Sequence, residues 1–229
     1  MRFGVVIFPG SNCEQDVIHA ARHLGYEAEN IWHGDTDLSG FDAIVLPGGF
    51  SYGDYIRCGA VARFSPVMAE VVRFAEAGGP VMGICNGFQI LTEAHLLPGA
   101  LLRNVGLKFI CHGQPLRVEE SVCQWLDLPA GTVVDIPVNH NEGNFICDGD
   151  TLERLKANGQ IVLRYSEPDG SVLPGSAPNG ALDNIAGICN ERGNVFGLMP
   201  HPERMVDPLC SGTDGVPFFT TIVKRLAEV

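Results

Sequence analysis

Three short apolar runs, Phe3 to Phe8, Ala43 to Leu46 and Val81 to Ile84, alternate with helical patterns in the first half of the chain. Runs of this length suit strands covered on both faces, and intervening helices suit crossover connections, so a parallel sheet is predicted. Between the first two runs, Ser11 and Glu14 have the spacing of a capping box, Val17, Ala21 and Leu24 share one helical face, and Gly25 supplies a stop. A weaker strand is expected at Ala28 to Trp32, and a second amphipathic helix from Val61 to Ala77, ended by Gly78-Gly79-Pro80. The second half changes character. Gly, Pro and Asn recur every few residues around β-rich runs at Val105 to Cys111, Val133 to Val138, Ile161 to Tyr165, Ile185 to Asn190 and Val195 to Leu198. These runs are expected to add antiparallel strands to the first sheet. Glu167 to Gly180 and Asp207 to Gly215 read as mobile surface loops, and a closing helix is expected from Pro217 to Ala227.

At 229 residues, one α/β domain spanning 1–229 is the expectation. Acidic residues outnumber basic ones, 27 to 15, and the basic ones form no stripe, so nucleic acid is not an expected partner. No segment reaches the roughly 20 apolar residues of a membrane span. Met1 to Phe8 lacks the pattern of a signal peptide, which points to the cytoplasm and to reduced thiols for the eight cysteines. No Cys-x-x-Cys or His-Glu-x-x-His spacing occurs, and His19 and His23 form the one His-x-x-x-His pair, so no metal site is expected.

Two segments have the form of a nucleophile elbow, in which a strand turns sharply into a helix and presents one side chain at the turn. Gly49-Phe50-Ser51-Tyr52-Gly53 is separated from its strand by Pro47-Gly48 and is followed by Gly53-Asp54 rather than a helix, so Ser51 is read as a loop residue. Gly83-Ile84-Cys85-Asn86-Gly87 directly joins a strand to a helical run, and the helix N-terminus behind Cys85 favours a thiolate. A free cysteine is more commonly a small buried hydrophobe, so catalysis requires a base. Met199-Pro200-His201-Pro202-Glu203 supplies one: His201 to move protons and Glu203 to orient it, with the two prolines expected to hold the backbone extended. The Asn86 amide and the amide of Gly49, in the loop after a parallel strand, are the candidate donors to a substrate oxyanion.

Pro47-Gly48-Gly49, Gly83-Ile84-Cys85-Asn86-Gly87-Phe88-Gln89 and Pro200-His201-Pro202-Glu203 resemble, in order and spacing, the class I (triad) glutamine amidotransferases over nearly the whole chain. Phe8-Pro9-Gly10-Ser11-Asn12-Cys13, Gly48 to Asp54 and Asn139-His140-Asn141-Glu142-Gly143 narrow the resemblance to the glutaminase subunits of phosphoribosylformylglycinamidine synthase. The resemblance implies a flavodoxin-like sheet flanked by helices, a triad of Cys85, His201 and Glu203 at its carboxyl edge, and Gln89 as a residue that holds glutamine. It also implies a separate large synthetase subunit that uses ATP and magnesium, and a small bridging subunit. This chain itself carries no Gly-x-x-x-x-Gly-Lys-[Ser/Thr] phosphate loop and is expected to hold no cofactor. The alternatives are an amidotransferase subunit feeding a different synthetase, a cysteine peptidase or redox protein on a related fold, and a non-catalytic subunit. His140 and Glu142 fit either a glutamine pocket or a satisfied turn, Arg57 either a surface charge or a synthetase contact, and His112 a structural or solvent-facing role.

Overall fold

The computed structural model describes residues 1–209 and 212–228. In chain order the elements are β1 (Arg2–Ile7), α1 (Glu14–His23), β2 (Glu27–Trp32), β3 (Ala43–Leu46), α2 (Pro66–Glu76), β4 (Val81–Ile84), α3 (Asn86–Glu93), β5 (Ala100–Leu102), β6 (Ile110–Val118), β7 (Val133–His140), β8 (Asn144–Ile146), α4 (Gly149–Ala157), β9 (Ile161–Tyr165), β10 (Ile185–Cys189), β11 (Val195–Leu198) and α5 (Pro217–Ala227). Among the described residues nine strands form one sheet in the order β2-β1-β3-β4-β11-β10-β9-β6-β7, and β5 pairs with β8 apart from it.

The five strands β2, β1, β3, β4 and β11 are mutually parallel. Their order is the flavodoxin-like one, which leaves a crevice at the carboxyl ends of the strands. From β11 onward each added strand runs antiparallel to its neighbour. Every residue of β3, β4 and β11 is buried, as expected of strands covered on both faces, whereas β2 at the edge buries only Ala28 and Ile31. Burying that apolar surface is the main term that stabilises the sheet. No helix among the described residues is long and apolar enough to cross a membrane.

Five local expectations are corrected. Ser11 is not a helix cap: its hydroxyl accepts the Phe8 amide at 3.1 Å within the turn after β1, and Cys13 occupies the cap position of α1 without a side-chain cap bond. The second helix begins at Pro66, because proline suits a first turn and Ser65 before it is extended, leaving a separate short 3-10 turn at Ala62–Phe64. Residues 105–109 are an exposed loop, and the strand expected there starts at Ile110. β11 adds to the sheet in parallel with β4 rather than antiparallel. The loop 167–180 is tied down: the Ser176 hydroxyl donates to Glu167 at 2.8 Å, and buried Asn179 donates to Gly143 O and to the Tyr165 hydroxyl. Of the other predicted loop, residues 210 and 211 lie outside the described residues, as does Cys210 with them. The seven described cysteines are free thiols.

Candidate active site

The segments that leave β1, β3, β4 and β11 at their carboxyl ends converge with the end of β7 around a cavity of about 470 Å³, lined among others by Gly49, Cys85, His140 and His201. Cys85 joins β4 directly to α3, with φ 52° and ψ −105°. Such a conformation in a residue with a Cβ costs on the order of 1–3 kcal/mol. It is held by neighbours on both sides: the Cys85 amide donates to Leu198 O of β11 at 2.8 Å, and its carbonyl accepts the Gln89 amide at 3.2 Å. The small residues of the elbow are sterically required. A Cβ on Gly87 would stand 2.0 Å from Leu46 O, and one on Gly83 2.6 Å from the Gly87 carbonyl carbon.

His201 follows β11, its amide bonded to Pro137 O of β7 at 2.8 Å. Its Nδ1 lies 2.6 Å from Glu203 Oε1, and both side chains are essentially inaccessible, at 1% and 0% exposure. The prolines do not hold this stretch extended. Pro202–Arg204 is a 3-10 turn, and the turn itself brings residues two apart together. With Nδ1–H donated to the carboxylate, Nε2 is left as the working nitrogen. It makes no full hydrogen bond, and Cys85 is the neighbour that acts on it, by charge and by a hydrogen-bonding approach. Burial opposes a charge on this imidazole, but the Glu203 carboxylate and the Cys85 sulfur outweigh it and raise the His201 pKa to about 10. The sequence-predicted Cys85, His201 and Glu203 are therefore contiguous.

Gly49 lines the cavity beside Cys85, with φ +140°, and a Cβ there would come within 2.8 Å of Asn12 N and Ser11 Cα. The Asn86 side chain ties the elbow to that loop: its Oδ1 accepts the Ser51 amide at 3.1 Å, and its Nδ2 donates to Gln89 Oε1 at 2.8 Å and to Asp54 at 3.4 Å. Gln89 borders the cavity, but its amide is engaged in the wall, Nε2 donating to Glu142 O at 2.6 Å. Ser51 sits in a 3-10 turn, 2% exposed, its hydroxyl unpartnered. It is a buried turn residue, as the weaker elbow predicts.

His140 is 2% exposed and borders the cavity. Its Nδ1 lies 3.1 Å from Asn104 Oδ1, which also accepts the Gly143 amide, so the ring donates there and keeps a bare, unpartnered Nε2. Burial, assisted by the charges of His201 and His112, lowers its pKa to about 3. Glu142 accepts from the Cys58 thiol at 2.8 Å and faces Arg103 at 3.6 Å. Arg57 grips Glu93 through two bonds of 2.5 and 2.6 Å, which locks the loop after β3 onto α3. His112 is exposed, its Nδ1 on Gly113 O.

The sequence reading passed over Cys13, Asp54 and Cys58, all of which line the cavity. Their signal was position, since Cys13 ends the turn after β1 and the other two follow the glycine loop after β3. Burial first, then the Glu203 charge, push the Cys13 thiol up to about 12. Cys13, His201 and Glu203 present ligand atoms within 4.8 Å of one another, a set able to hold a soft divalent cation if the His201–Glu203 hydrogen bond is given up.

An elbow cysteine facing a buried His–Glu pair at the carboxyl edge of a flavodoxin-like sheet is the arrangement expected of a triad amidotransferase. The family model of the CobB/CobQ-like glutamine amidotransferase domain matches residues 1–213. The chain is 54% identical over 229 residues to the phosphoribosylformylglycinamidine synthase subunit PurQ of Synechococcus sp. (strain JA-3-3Ab), covering 99% of this chain and 98% of the relative. To that of Salinibacter ruber it is also 54% identical, covering 100% and 98%. A chain in the structure of PurLQS from Thermotoga maritima superposes with a TM-score of 0.87 at 42% identity, over 98% of each chain. A glutamine amidotransferase from Thermotoga maritima, 14% identical with a TM-score of 0.56 over 100% and 84%, shares the fold. The chain belongs to the class I glutamine amidotransferases and, within them, to the PurQ family of phosphoribosylformylglycinamidine synthase subunits.

Proposed function

We propose that this chain is the glutaminase subunit of a phosphoribosylformylglycinamidine synthase and that it releases ammonia from glutamine through a thioester on Cys85. The observation that carries the reading is the strained Cys85 elbow set against the buried His201–Glu203 pair. In the proposed cycle the Cys85 thiol passes its proton to His201 Nε2 and the sulfur attacks the amide carbon of glutamine, its electrons displacing the carbonyl π pair onto oxygen. The Asn86 and Gly49 amides receive that oxyanion; preorganised donors of this kind contribute several kcal/mol, roughly 10²–10³ in rate each. His201 gives its Nε2 proton to the nitrogen, the C–N bond breaks, and ammonia leaves a glutamyl thioester. Water then attacks, His201 takes its proton, and collapse of the second oxyanion expels the thiolate and frees glutamate. Glu203 fixes the tautomer and balances the imidazolium charge throughout. Gln89 holds the pocket wall one turn from the sulfur, its amide bridging Asn86 and Glu142.

Ammonia is useful to an acceptor only if it is not protonated in bulk water, so the cavity must open onto a partner. The PurLQS structure from Thermotoga maritima supports association of this chain with other synthase subunits. We assign it a large synthetase subunit that brings ATP and magnesium to formylglycinamide ribonucleotide, with a small subunit bridging the two. Phe50 and Phe109 line the cavity and are themselves exposed, and with exposed Tyr55 and Ile56 on the loop of the first and Leu107 on that of the second they make an apolar rim of the kind that a partner covers. The test is glutamine-dependent and ammonium-dependent synthesis by the reconstituted complex. Cys85→Ala abolishes the first and spares the second, whereas Ser51→Ala retains much of both; equal loss in the two variants overturns the assignment.

A further inference from the structure

The cavity is longer than a sulfur and an amide require. Gln89 lies one helical turn, about 5.4 Å, beyond Cys85, and its Nε2 bonds the carbonyl of Glu142, which places Glu142 at that far end. Asp54 reaches the same region, bonded to Asn86 Nδ2 at 3.4 Å. Cys58 stands between the two carboxylates, its thiol donating to Glu142 Oε2 at 2.8 Å and also approaching Asp54. All three line the cavity with Cys85. In an extended glutamine the reacting carbon and the α-nitrogen are separated by roughly 5 Å, four bonds of ordinary length.

We infer that Asp54 and Glu142 form the subsite for the α-ammonium group of glutamine, with the Cys58 thiol holding the two carboxylates together. The wall of the cavity also holds an unmet demand for an N–H donor. His140, 2% exposed, turns a lone pair on Nε2 that no protein group satisfies, and a buried polar atom of this kind calls for a partner. The charges facing the subsite are few. Arg103, itself 68% exposed, lies 3.6 Å from Glu142 Oε1, and among the described residues no Lys or Arg pairs with Asp54. Burial raises the Asp54 pKa, and the neighbouring Glu142 charge adds to that rise while bonds from Cys58 and Asn86 oppose it. A cation placed between the carboxylates relieves that repulsion, as the ammonium of an amino acid does and an uncharged amide does not.

This inference rests on the glutaminase reading and is tested with a second substrate, glutaramate, which is glutamine without its α-amino group. In the full chain assembled with its synthetase partners, kcat/KM for glutamine exceeds that for glutaramate by about 10- to 100-fold, the range for one lost hydrogen bond to a charged group. Glu142→Gln and Asp54→Asn, assayed separately, raise the KM for glutamine by about tenfold or more and shrink that preference. A loss confined to the amino-bearing substrate is the expected signature. Equal kcat/KM for the two substrates in the wild type overturns the inference without any variant. So does a variant that lowers both values in proportion, which marks the carboxylate as a support for Asn86 and the pocket wall. A wild-type complex that leaves glutamine intact overturns instead the glutaminase reading itself.

Discussion

Burial works against a proton on both His201 and His140, and their neighbours decide the outcome. At His201 the Glu203 carboxylate and the Cys85 sulfur outweigh burial and raise the pKa from 6.5 to about 10. At His140 the charges of His201 and His112 reinforce it and lower the pKa from 6.5 to about 3. The linkage signs are opposite. The stabilisation from His201 is complete below pH 6.5 and is lost as pH rises toward 10, where the unfolded imidazole has already shed its proton. His140 is held neutral, so below pH 6.5 the unfolded state takes up a proton that the fold refuses, and stability falls as pH drops toward 3. Urea unfolding between pH 6.5 and 4 therefore gives a steeper loss for wild type than for His140→Asn, the difference approaching about 1.4 kcal/mol per pH unit. Parallel curves contradict this. Glu203→Gln tests the other imidazole: the fold is kept, the tautomer is no longer enforced, and kcat for glutamine falls by about 10²–10⁴.

Gly87 shows how closely the central elements approach, because α3 begins against the carbonyl end of β3 with no room for a methyl group. Gly87→Ala is expected to destabilise the chain by about 1–3 kcal/mol and to displace Cys85. Gly25→Ala, at φ +85° with open space around its Cβ position, costs only about 1–2 kcal/mol of backbone strain and leaves catalysis alone. Chemical denaturation with a glutaminase assay separates the two. Elements of this kind are the legible ones. β3, β4, β9 and β11 lie where the apolar runs put them, because short buried strands bounded by Gly, Pro or Asn have few alternatives. The association of Cys85 with His201 and Glu203 was carried by their motifs and not by the strand pattern, since it needs β4 and β11 to end at the same edge, as only parallel strands do. α4 was not, because Asp148-Gly149-Asp150 reads as a turn until the Asp148 carboxylate is seen to accept the Thr151 amide at 2.7 Å and cap a helix. The parallel pairing of β11 with β4 is a long-range choice that no local pattern records. Cys13, Asp54 and Cys58 belong to the cavity through tertiary approach, and their places after β1 and β3 were the one signal the sequence carried.

At the scale of the molecule, the cavity, the loop after β3 and the apolar rim form one assembly. Tyr52, Asp54 and Ile56 all have positive φ, and Ile56, β-branched and 92% exposed at φ 72°, is an outlier that only surrounding structure sustains. The same loop is anchored inward by Ser51 N on Asn86, Asp54 on Asn86, and Arg57 on Glu93. Ile56→Asp should weaken association with the synthetase, measured by sedimentation or calorimetry, while the unfolding midpoint of the isolated chain moves little. A complex of unchanged affinity contradicts a partner on that rim.

The central claim is that the sulfur at residue 85 forms the bond to glutamine, although a second thiol, Cys13, borders the same cavity. Acid quenching of the complex during turnover, followed by peptide mapping by mass spectrometry, locates that bond. The account predicts a glutamyl adduct on the peptide containing Cys85, present during turnover of the wild type and absent from Cys85→Ala. An adduct on Cys13 or Ser51, or steady hydrolysis by Cys85→Ala with no adduct anywhere, contradicts it.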